Sequence, residues 1–314
     1  MKNLIKSVAI ASVVTIASFA SPVFAEGEKY IFIYHSPDSD SWWNVIKNAI
    51  GNAEDDLGVT VDIRNPPTGD IADMARLVQQ SIASDPDGLV VTIADYDALS
   101  GPIRDAVDAG IPVITVNSGT PAQSAELGAM LHIGQPEFDA GFAAGSRAKA
   151  DGIGNFVCVN HQINNAPLIE RCRGFAEALG VELGNSMIDV GIDPSEVKNR
   201  VIAYLRTNPD VEAILGLGPN ASDPTIAALE EIGMAGEIYF GTFDMSDAIA
   251  DAIKAGTIQW AIDQQPYLQG YLPISFLTMF SRYGVQIPHN VNSGPGFITS
   301  ENIELVATMA GVYR

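Results

Sequence analysis

Positive charge is scarce in this sequence of 314 residues. Lysine and arginine together number 17 against 38 aspartates and glutamates, which gives a formal net charge of −21 at pH 7. A partner with a phosphate backbone needs a basic footprint on the protein, so the composition excludes nucleic-acid binding. The acidic excess does not by itself indicate a cationic ligand, because acidic side chains on a solvated surface account for it equally well.

Cysteine, histidine and catalytic motifs are sparse as well. The two cysteines form no Cys-x-x-Cys motif, and the four histidines are scattered without the spacing of metal ligands. No Gly-x-Ser-x-Gly segment occurs, and no histidine pairs convincingly with a serine. We therefore predict no metal, no cofactor and no enzymatic activity.

Long apolar runs are few, and the important one lies at the N-terminus. Residues 8–20 are apolar or small, and Lys2 and Lys6 precede them. This arrangement is typical of a secretory signal peptide cleaved near Ala25, whereas a membrane-spanning helix needs about 20 apolar residues. An uncleaved anchor is the alternative. We expect residues 1–25 to be removed and the rest of the chain to reach the periplasm.

One sequence pattern occurs twice. Residues 84–87 and 207–210 each place a Pro-Asp pair at the end of a helical pattern, and an apolar strand and then polar residues follow. Strands alternate with helices along the chain, which implies parallel sheets with right-handed crossovers. The predicted fold class is α/β, with two doubly wound parallel-sheet lobes. Ligands bind beyond the carboxyl ends of the strands in such sheets.

Polar and aromatic side chains follow the predicted strands in both lobes. Carboxylates, amides and hydroxyls can pair with the hydroxyls of a sugar, and flat aromatic faces match the C–H faces of its ring. We therefore predict a cleft that closes on a small neutral carbohydrate. The candidate ligand-binding residues are Ser36, Asp38, Trp42, Trp43, Asp95, Asn117, Gln135, Asn160, Asn164, Asn220, Phe243, Asp244 and Gln264.

Some of these candidates also have a purely structural interpretation. Trp42 or Trp43 could belong to the core at the start of a helix, and Asp95 or Asp244 could cap the helix that follows. An exported hydrolase or isomerase that acts on a sugar stays open as an alternative function, because Asp38, Asp95 and Asp244 are strand-end carboxylates.

The two cysteines are positioned to form a disulfide. Cys158 ends a predicted strand, and Cys172 lies two turns into the following helix. Export exposes the pair to an oxidising compartment, where a disulfide would clip the intervening loop shut. A buried pair of thiols is the alternative.

Five segments, in their order and spacing, resemble the periplasmic sugar-binding proteins of the ribose-binding type, the receptors of ABC importers. The resemblance covers almost the whole chain after the signal peptide and implies a type 1 periplasmic binding protein fold with a three-strand hinge. It also implies a membrane permease as partner, a chemoreceptor as a further potential partner, and a monomer. The segments are residues 110–117, 132–135, 170–175, 241–244 and 262–266.

The same resemblance implies lobe boundaries. The N-terminal lobe is expected to comprise residues 26–133 plus 265–293, and the C-terminal lobe residues 134–264 plus 294–314. Gln264 corresponds to a hinge glutamine that contacts the ligand.

Individual roles follow from the resemblance too. Trp42 and Trp43 correspond to a pair of aromatics that stack on the sugar, and Phe243 and Asp244 to an aromatic and a hydrogen-bonding carboxylate. Asn220 lies at or next to the cleft asparagine of the family.

The sequence departs from the family at two positions. Ser118 and Ile169 stand where arginines are common, so we expect two guanidinium groups to be missing from the pocket.

Overall fold

The computed structural model describes residues 27–314, which form two α/β lobes, each built on a six-stranded sheet. The predicted signal peptide, residues 1–25, lies outside the described residues. Two lobes with parallel sheets confirm the predicted fold class. Among the described residues, none of the helices is long and apolar enough to cross a membrane.

The first sheet is entirely parallel. Its strands are β1 (Lys29–Ile33), β2 (Thr60–Arg64), β3 (Gly88–Val91), β4 (Val113–Val116), β5 (Leu131–Gly134) and β11 (Val291–Asn292), in the order β2-β1-β3-β4-β5-β11. The helices that follow the strands of this sheet or return to it are α1 (Trp43–Leu57), α2 (Ile71–Ile82), α3 (Tyr96–Asp108), α4 (Pro121–Glu126) and α10 (Pro266–Tyr283).

The second sheet repeats this plan with one antiparallel strand at its edge. Its strands are β6 (Phe156–Asn160), β7 (Met187–Asp189), β8 (Ala213–Gly216), β9 (Tyr239–Phe243), β10 (Trp260–Asp263) and β12 (Gly296–Ile298), in the order β7-β6-β8-β9-β10-β12, with β12 antiparallel to β10. The helices of this lobe are α5 (Glu137–Ala150), α6 (Ala166–Leu179), α7 (Pro194–Thr207), α8 (Pro219–Ile232) and α9 (Asp247–Ala255), and short 3-10 turns lie at Gly184–Ser186, Ile303–Leu305 and Ala307–Met309.

Each sheet is buried on both faces. Phe32 of β1 packs into one cluster with α1 and α10, whereas its neighbours Ile31 and Ile33 pack into a second cluster with α2 and α3. Successive side chains of a strand point to opposite faces, so a strand covered on both sides reads as a continuous apolar run. The second sheet has the same two-sided core.

The chain passes between the sheets at three places. It leaves β5 for α5, leaves β10 for α10, and goes from β11 to β12. Gln135 follows β5 and Gln264 follows β10, so both glutamines lie where sequence analysis expects a hinge.

The alternating pattern of strands and helices in the sequence does not reveal short elements such as α4, β11 and β12. Strands of two or three residues carry too little alternation to be recognised. Helix α3 begins at Tyr96, three residues earlier than its apolar pattern indicates, because the Asp95 side chain caps it by accepting from the backbone N–H of Ala98.

The structure joins Cys158 and Cys172 in a disulfide, the pairing that sequence analysis favoured. Cys158 lies in β6 and Cys172 in α6, and their Cα atoms are 5.9 Å apart. Both are fully buried in the cluster beneath the sheet.

Candidate ligand-binding cleft

A small cavity lies between the lobes, where the carboxyl ends of both sheets meet. We call it the central cavity; its volume is about 60 Å³, room for about four to six water-sized molecules. Loops after β1 and β4 form one wall, and loops after β6, β8 and β9 form the other. This is the place where open α/β sheets bind ligands.

Two tryptophans occupy the wall from the first lobe. Trp43 is buried and stacks on Tyr34, with the ring centroids 4.3 Å apart, and Trp42 meets it edge-on at 5.1 Å. Trp43 therefore belongs both to the core and to the cavity wall, while the half-buried Trp42 is the more accessible of the two.

Two residues in left-handed backbone conformation face each other from the ends of β4 and β9. Asn117 has a φ of 58° and Asp244 a φ of 61°. Asparagine and aspartate tolerate this region better than other non-glycine residues, and such outliers cluster at functional sites. Gln264 links the pair, because its amide donates to both carboxylate oxygens of Asp244 at 2.9 Å and its carbonyl accepts from Asn117 at 3.3 Å.

Gln264, which follows β10, is itself held in place by other buried side chains. Gln269 of α10 donates to the side-chain oxygen of Gln264 at 3.0 Å and to the hydroxyl of Ser293 at 2.9 Å. It also accepts from Asn117 at 3.0 Å. These buried amides satisfy one another, so Gln264 reaches the cavity from a fixed position.

A buried arginine anchors the wall from the second lobe. Arg171 of α6 donates twice to Glu137, through Nε at 2.6 Å and Nη2 at 2.9 Å, and its Nη1 donates to the carbonyl of Leu217 at 3.0 Å. The Nη1 atom also lies 3.8 Å from Asp244. The ring of Phe243 supports the guanidinium from below at 4.3 Å, a cation–π contact.

The buried charges of this cluster influence one another. Burial raises the pKa of Asp244 to about 7, although the nearby Arg171 and the amide of Gln264 favour its ionised form. Burial alone would lower the pKa of Arg171, but the charge of Glu137 outweighs this effect and raises it. The guanidinium is therefore charged at neutral pH, and Asp244 titrates near neutrality.

Two histidines of the cavity wall are neutral at physiological pH. Burial lowers the pKa of His35 to about 4 and that of His161 to about 3, the latter with help from the charge of Arg171. His35 follows β1 and His161 follows β6, so each lobe contributes one imidazole.

Three polar atoms of the cavity wall have no protein partner. They are Nε1 of Trp42, Nδ1 of His161 and Oδ1 of Asn165, all buried from solvent. A buried polar atom without a partner is unfavourable by about 1–3 kcal/mol. A ligand with both donors and acceptors would satisfy all three.

A further hydrogen bond joins the two walls of the cavity. Asn220, in the first turn of α8, donates to Asp40 of the β1–α1 loop at 3.1 Å. Burial raises the pKa of Asp40, and the bond from Asn220 works against that shift. The contact therefore links the two lobes directly.

Seven of the thirteen predicted ligand-binding residues line the central cavity: Ser36, Trp42, Trp43, Asn117, Asn220, Asp244 and Gln264. The other six, treated next, do not: Asp38, Asp95, Gln135, Asn160, Asn164 and Phe243.

Three of these six have structural partners instead. Asn160 is fully buried and accepts from the backbone N–H of Gln162, Gln135 donates to Glu137, and Phe243 lies beneath Arg171. Phe243 therefore positions a charged group rather than contacting the cavity.

The remaining three are exposed. Asp38 accepts from Asn65 and Asp95 caps α3, while Asn164 lies one residue before the asparagine that does reach the cavity. Of the carboxylates that supported a sugar-acting enzyme, Asp38, Asp95 and Asp244, only Asp244 lines the cavity, so they form no acid–base pair there.

Ser118 and Ile169 stand at the two positions where the family commonly has arginines. The cavity wall nevertheless contains a guanidinium that the sequence did not predict, because Arg171 lies there. On a helix, a shift of two positions rotates a side chain by about 200°, so Ile169 and Arg171 point in nearly opposite directions. The sequence signal that could have indicated this arginine is the segment Glu-Arg-Cys-Arg at residues 170–173, in which Arg171 precedes the buried Cys172.

Besides Arg171, several polar residues of the wall were not among the candidates. They are His35, Asp40, Ser118, Glu137, His161, Gln162 and Asn165. Most lie within two residues of the end of a strand or the start of a helix, so their place in the chain was the available signal. Among residues 27–314, no group of three or more His, Cys, Asp or Glu side chains could hold a metal ion.

Comparison with known proteins places this fold and cleft in a family. Residues 30–281 match the model of the periplasmic binding protein domain. The chain belongs to the periplasmic binding proteins. A carbohydrate transporter from Acidothermus cellulolyticus 11B, solved in complex with myo-inositol, is 31% identical with a TM-score of 0.84, and the match covers 91% of this chain and 98% of that one.

Two named sugar-binding proteins are also similar to this chain, at a lower sequence identity. The xylose/arabinose-binding protein XylF of Sulfolobus acidocaldarius is 26% identical over 257 residues, which is 76% of this chain but only 62% of that protein. The ribose import binding protein RbsB of Escherichia coli is 25% identical over 274 residues, 84% of this chain and 88% of that protein.

Proposed function

We propose that this protein is the extracytoplasmic solute-binding receptor of an ABC importer and captures a small neutral carbohydrate, a monosaccharide or a polyol. The observation that carries the proposal is the set of three unpaired polar atoms in a small cavity between two lobes. A polyhydroxyl solute donates and accepts hydrogen bonds on every side, so it can complete the indole, imidazole and amide groups together. The names of the relatives, which are sugar-binding and sugar-import proteins, support the same class of ligand.

The charges of the cavity favour a neutral solute. Three of the five N–H donors of Arg171 are engaged by Glu137 and Leu217, and the carboxylate of Glu137 already balances its charge, so Arg171 offers no unpaired positive charge to a phosphate or a carboxylate. The buried histidines His35 and His161 are neutral and add no positive charge. A sugar acid or sugar phosphate would therefore bring its negative charge close to Asp244 and Asp40, while the nearby cation, Arg171, is already paired with Glu137.

Closure of the two lobes on the ligand is the proposed mode of capture. The lobes would comprise residues 26–133 plus 265–293 and residues 134–264 plus 294–314, joined where Gln135, Gln264 and Ser293 come together. Ligand contacts made by both lobes favour the closed form, and the Asp40–Asn220 bond adds to them.

The proposed setting is the periplasm, with a membrane permease as the partner of the closed form. A chemoreceptor that reads the same closed form is a compatible second partner. A monomer suffices for this role, because one chain supplies both walls of the cavity.

A thermal-shift screen tests the proposal. Pentoses, hexoses, deoxysugars and polyols, including myo-inositol, are compared at millimolar concentration with sugar acids and sugar phosphates. At least one neutral compound is expected to raise the melting temperature by mass action. A rise with charged sugars alone, or with none of the compounds, would contradict the proposal.

A matched pair of variants connects binding to the cavity. Asp244→Ala is expected to abolish the rise in melting temperature, because it removes the carboxylate between the lobes. Asp251→Ala, on the exposed face of α9, should preserve it. Wild-type affinity in a folded Asp244→Ala protein, measured by isothermal titration calorimetry, would show that the ligand binds elsewhere.

A further inference from the structure

Four buried side chains form a series of hydrogen bonds that leads from the cavity wall toward the hinge. Asp244 accepts from the amide nitrogen of Gln264 at 2.9 Å. The carbonyl of Gln264 in turn accepts from Asn117 at 3.3 Å and from Gln269 at 3.0 Å, and Asn117 also donates to the carbonyl of Gln269 at 3.0 Å. We call these four residues the hinge network. Gln269 is fully buried and is the one member that does not line the central cavity.

The amides of the hinge network have one consistent orientation. The ionised carboxylate of Asp244 can only accept, so Gln264 turns its NH₂ group toward Asp244 and its carbonyl away. That carbonyl requires donors, and the NH₂ groups of Asn117 and Gln269 supply them. The NH₂ group of Gln269 is fixed a second time, because it also donates to the hydroxyl of Ser293 at 2.9 Å. The orientation of every amide in the network therefore follows from the charge of Asp244.

This orientation leaves Asn117 with only an acceptor for the cavity. Its NH₂ group has two hydrogens, and two acceptors engage them, the carbonyls of Gln264 and Gln269. Its own carbonyl accepts from the hydroxyl of Ser118 at 3.1 Å, and Ser118 lines the cavity too. A carbonyl oxygen has two lone pairs, so one acceptor site of Asn117 remains for a ligand.

We infer that Gln269 is a positioning residue that sets the hydrogen-bond specificity of the cavity, because it holds Asn117 with its carbonyl available to the ligand. The inference rests on the proposed carbohydrate-binding function and specifies how the ligand is recognised. The ligand group that meets Asn117 must donate, and Asp244 beyond Gln264 makes the same demand. Trp42, also on the cavity wall, makes the opposite demand, since its unpaired indole N–H needs an acceptor.

Deoxy and deoxyfluoro compounds separate donation from acceptance at each hydroxyl position. A hydroxyl group donates and accepts, fluorine can only accept, and hydrogen does neither. The probes are D-glucose, D-galactose, D-xylose, L-arabinose and myo-inositol, each with its monodeoxy and monodeoxyfluoro derivatives. Calorimetric titrations are made at pH 8, where Asp244 is ionised because its pKa is about 7.

The wild-type protein is expected to show a donor-only position. For at least one hydroxyl of a parent compound that binds, both derivatives should bind more weakly than the parent by about tenfold or more, because an acceptor of the protein loses its donor. At that position the fluoro derivative should bind no more tightly than the deoxy derivative.

Substitutions of Gln269 distinguish positioning from a purely structural role. Gln269→Met has a similar length but no amide, so it releases one hydrogen of Asn117 for the ligand. At the donor-only position, the fluoro derivative is then expected to bind about threefold more tightly than the deoxy derivative. Gln269→Glu keeps an oxygen facing Asn117 and should restore the wild-type order. Gln79→Met, at an exposed position of α2, is the matched control and should also keep that order.

The outcomes separate this inference from the proposed function. A wild-type protein that binds a parent compound but shows no donor-only position would overturn the inference and leave the receptor proposal intact. An unchanged order in a folded Gln269→Met protein, or the same reversal in Gln269→Glu, would overturn the role of Gln269. Gln269→Leu replaces Gln269→Met if the latter does not fold. Failure of every parent compound to bind would overturn both proposals.

Discussion

Asp244 is the residue whose chemistry depends most on its surroundings. It is buried between Gln264, which donates to both of its oxygens, and Arg171, which lies 3.8 Å away. Since burial brings its pKa to about 7, its charge changes within the range where the protein works. Both ligand binding and stability should therefore depend on pH through this one carboxyl group.

Ligand affinity is expected to fall as the pH drops below 7. A sugar hydroxyl donates to the ionised carboxylate, so protonation of Asp244 competes with the ligand and weakens binding by at most about tenfold per pH unit. Calorimetric titrations between pH 5 and 8 measure this slope. Asp244→Asn should bind weakly at every pH, and a slope that persists in that variant would assign the titration to another group.

The stability of the ligand-free protein should show the opposite trend. The folded-state pKa of Asp244 is raised above its ordinary value of 3.8, so the carboxyl favours folding below pH 4, and this contribution is lost as the pH rises to about 7. Asp244→Asn should therefore raise the free energy of unfolding by a few kcal/mol at pH 8 and by much less at pH 4. Denaturant titrations check this, with Asp251→Asn, on the exposed face of α9, as the matched control.

The packing of helix α5 against helix α6 determines where Arg171 lies. Gly141 and Gly174 allow the two helices to approach until backbone meets backbone, and Glu137 at the start of α5 thereby reaches Arg171 in α6. The buried ion pair depends on this close packing, because its geometry must be good to offset the desolvation of both charges.

A single methyl group should separate these helices. In Gly174→Ala the new Cβ would overlap the carbonyl oxygen of Phe138 and lie 2.7 Å from the amide nitrogen of Phe142. We expect a loss of about 1–3 kcal/mol in the free energy of unfolding, together with weaker sugar binding. Gly51→Ala in α1, where nothing lies within 4 Å, should stabilise instead by up to about 1 kcal/mol. Equal effects of the two substitutions in denaturant titrations would contradict this account.

Three chain segments meet at one point between the lobes. Gly294 lies against Gln135, which follows β5, and against Asp263 and Gln264, which end and follow β10. Any rotation of one lobe relative to the other must be absorbed near this contact.

A side chain at this point should bias the molecule toward an open form. A Cβ in Gly294→Ala would overlap Oε1 of Gln135 and lie 3.1 Å from Cα of Gln264. With ligand present, small-angle X-ray scattering is expected to show a larger radius of gyration for Gly294→Ala than for the wild type. The affinity of the variant for the ligand should fall several-fold. Gly296→Ala, whose Cβ would meet only the carbonyl of Asp263 at 3.5 Å, is the control. Identical scattering from both variants would show that the hinge lies elsewhere.

The sequence was sufficient for the architecture and for part of the cleft. Alternation of strands and helices is repeated over the whole chain, so errors in single elements did not change the fold class. Residues directly after strands, such as Asn117 and Asp244, could be placed because backbone topology alone brings them to one edge. Arg171 and Asn165 could not, because which face of a helix or loop points to the cavity depends on tertiary packing.

The disulfide has a practical consequence for anyone who prepares this receptor. Cys158 and Cys172 enclose the segment that carries His161 and Asn165, with Arg171 just inside the closing cysteine. Closing a loop of this length restricts the unfolded chain by about 3 kcal/mol in entropic models. Protein made in a reducing cytoplasm would keep both lobes but hold this segment loosely, and its measured affinities would understate those of the exported form.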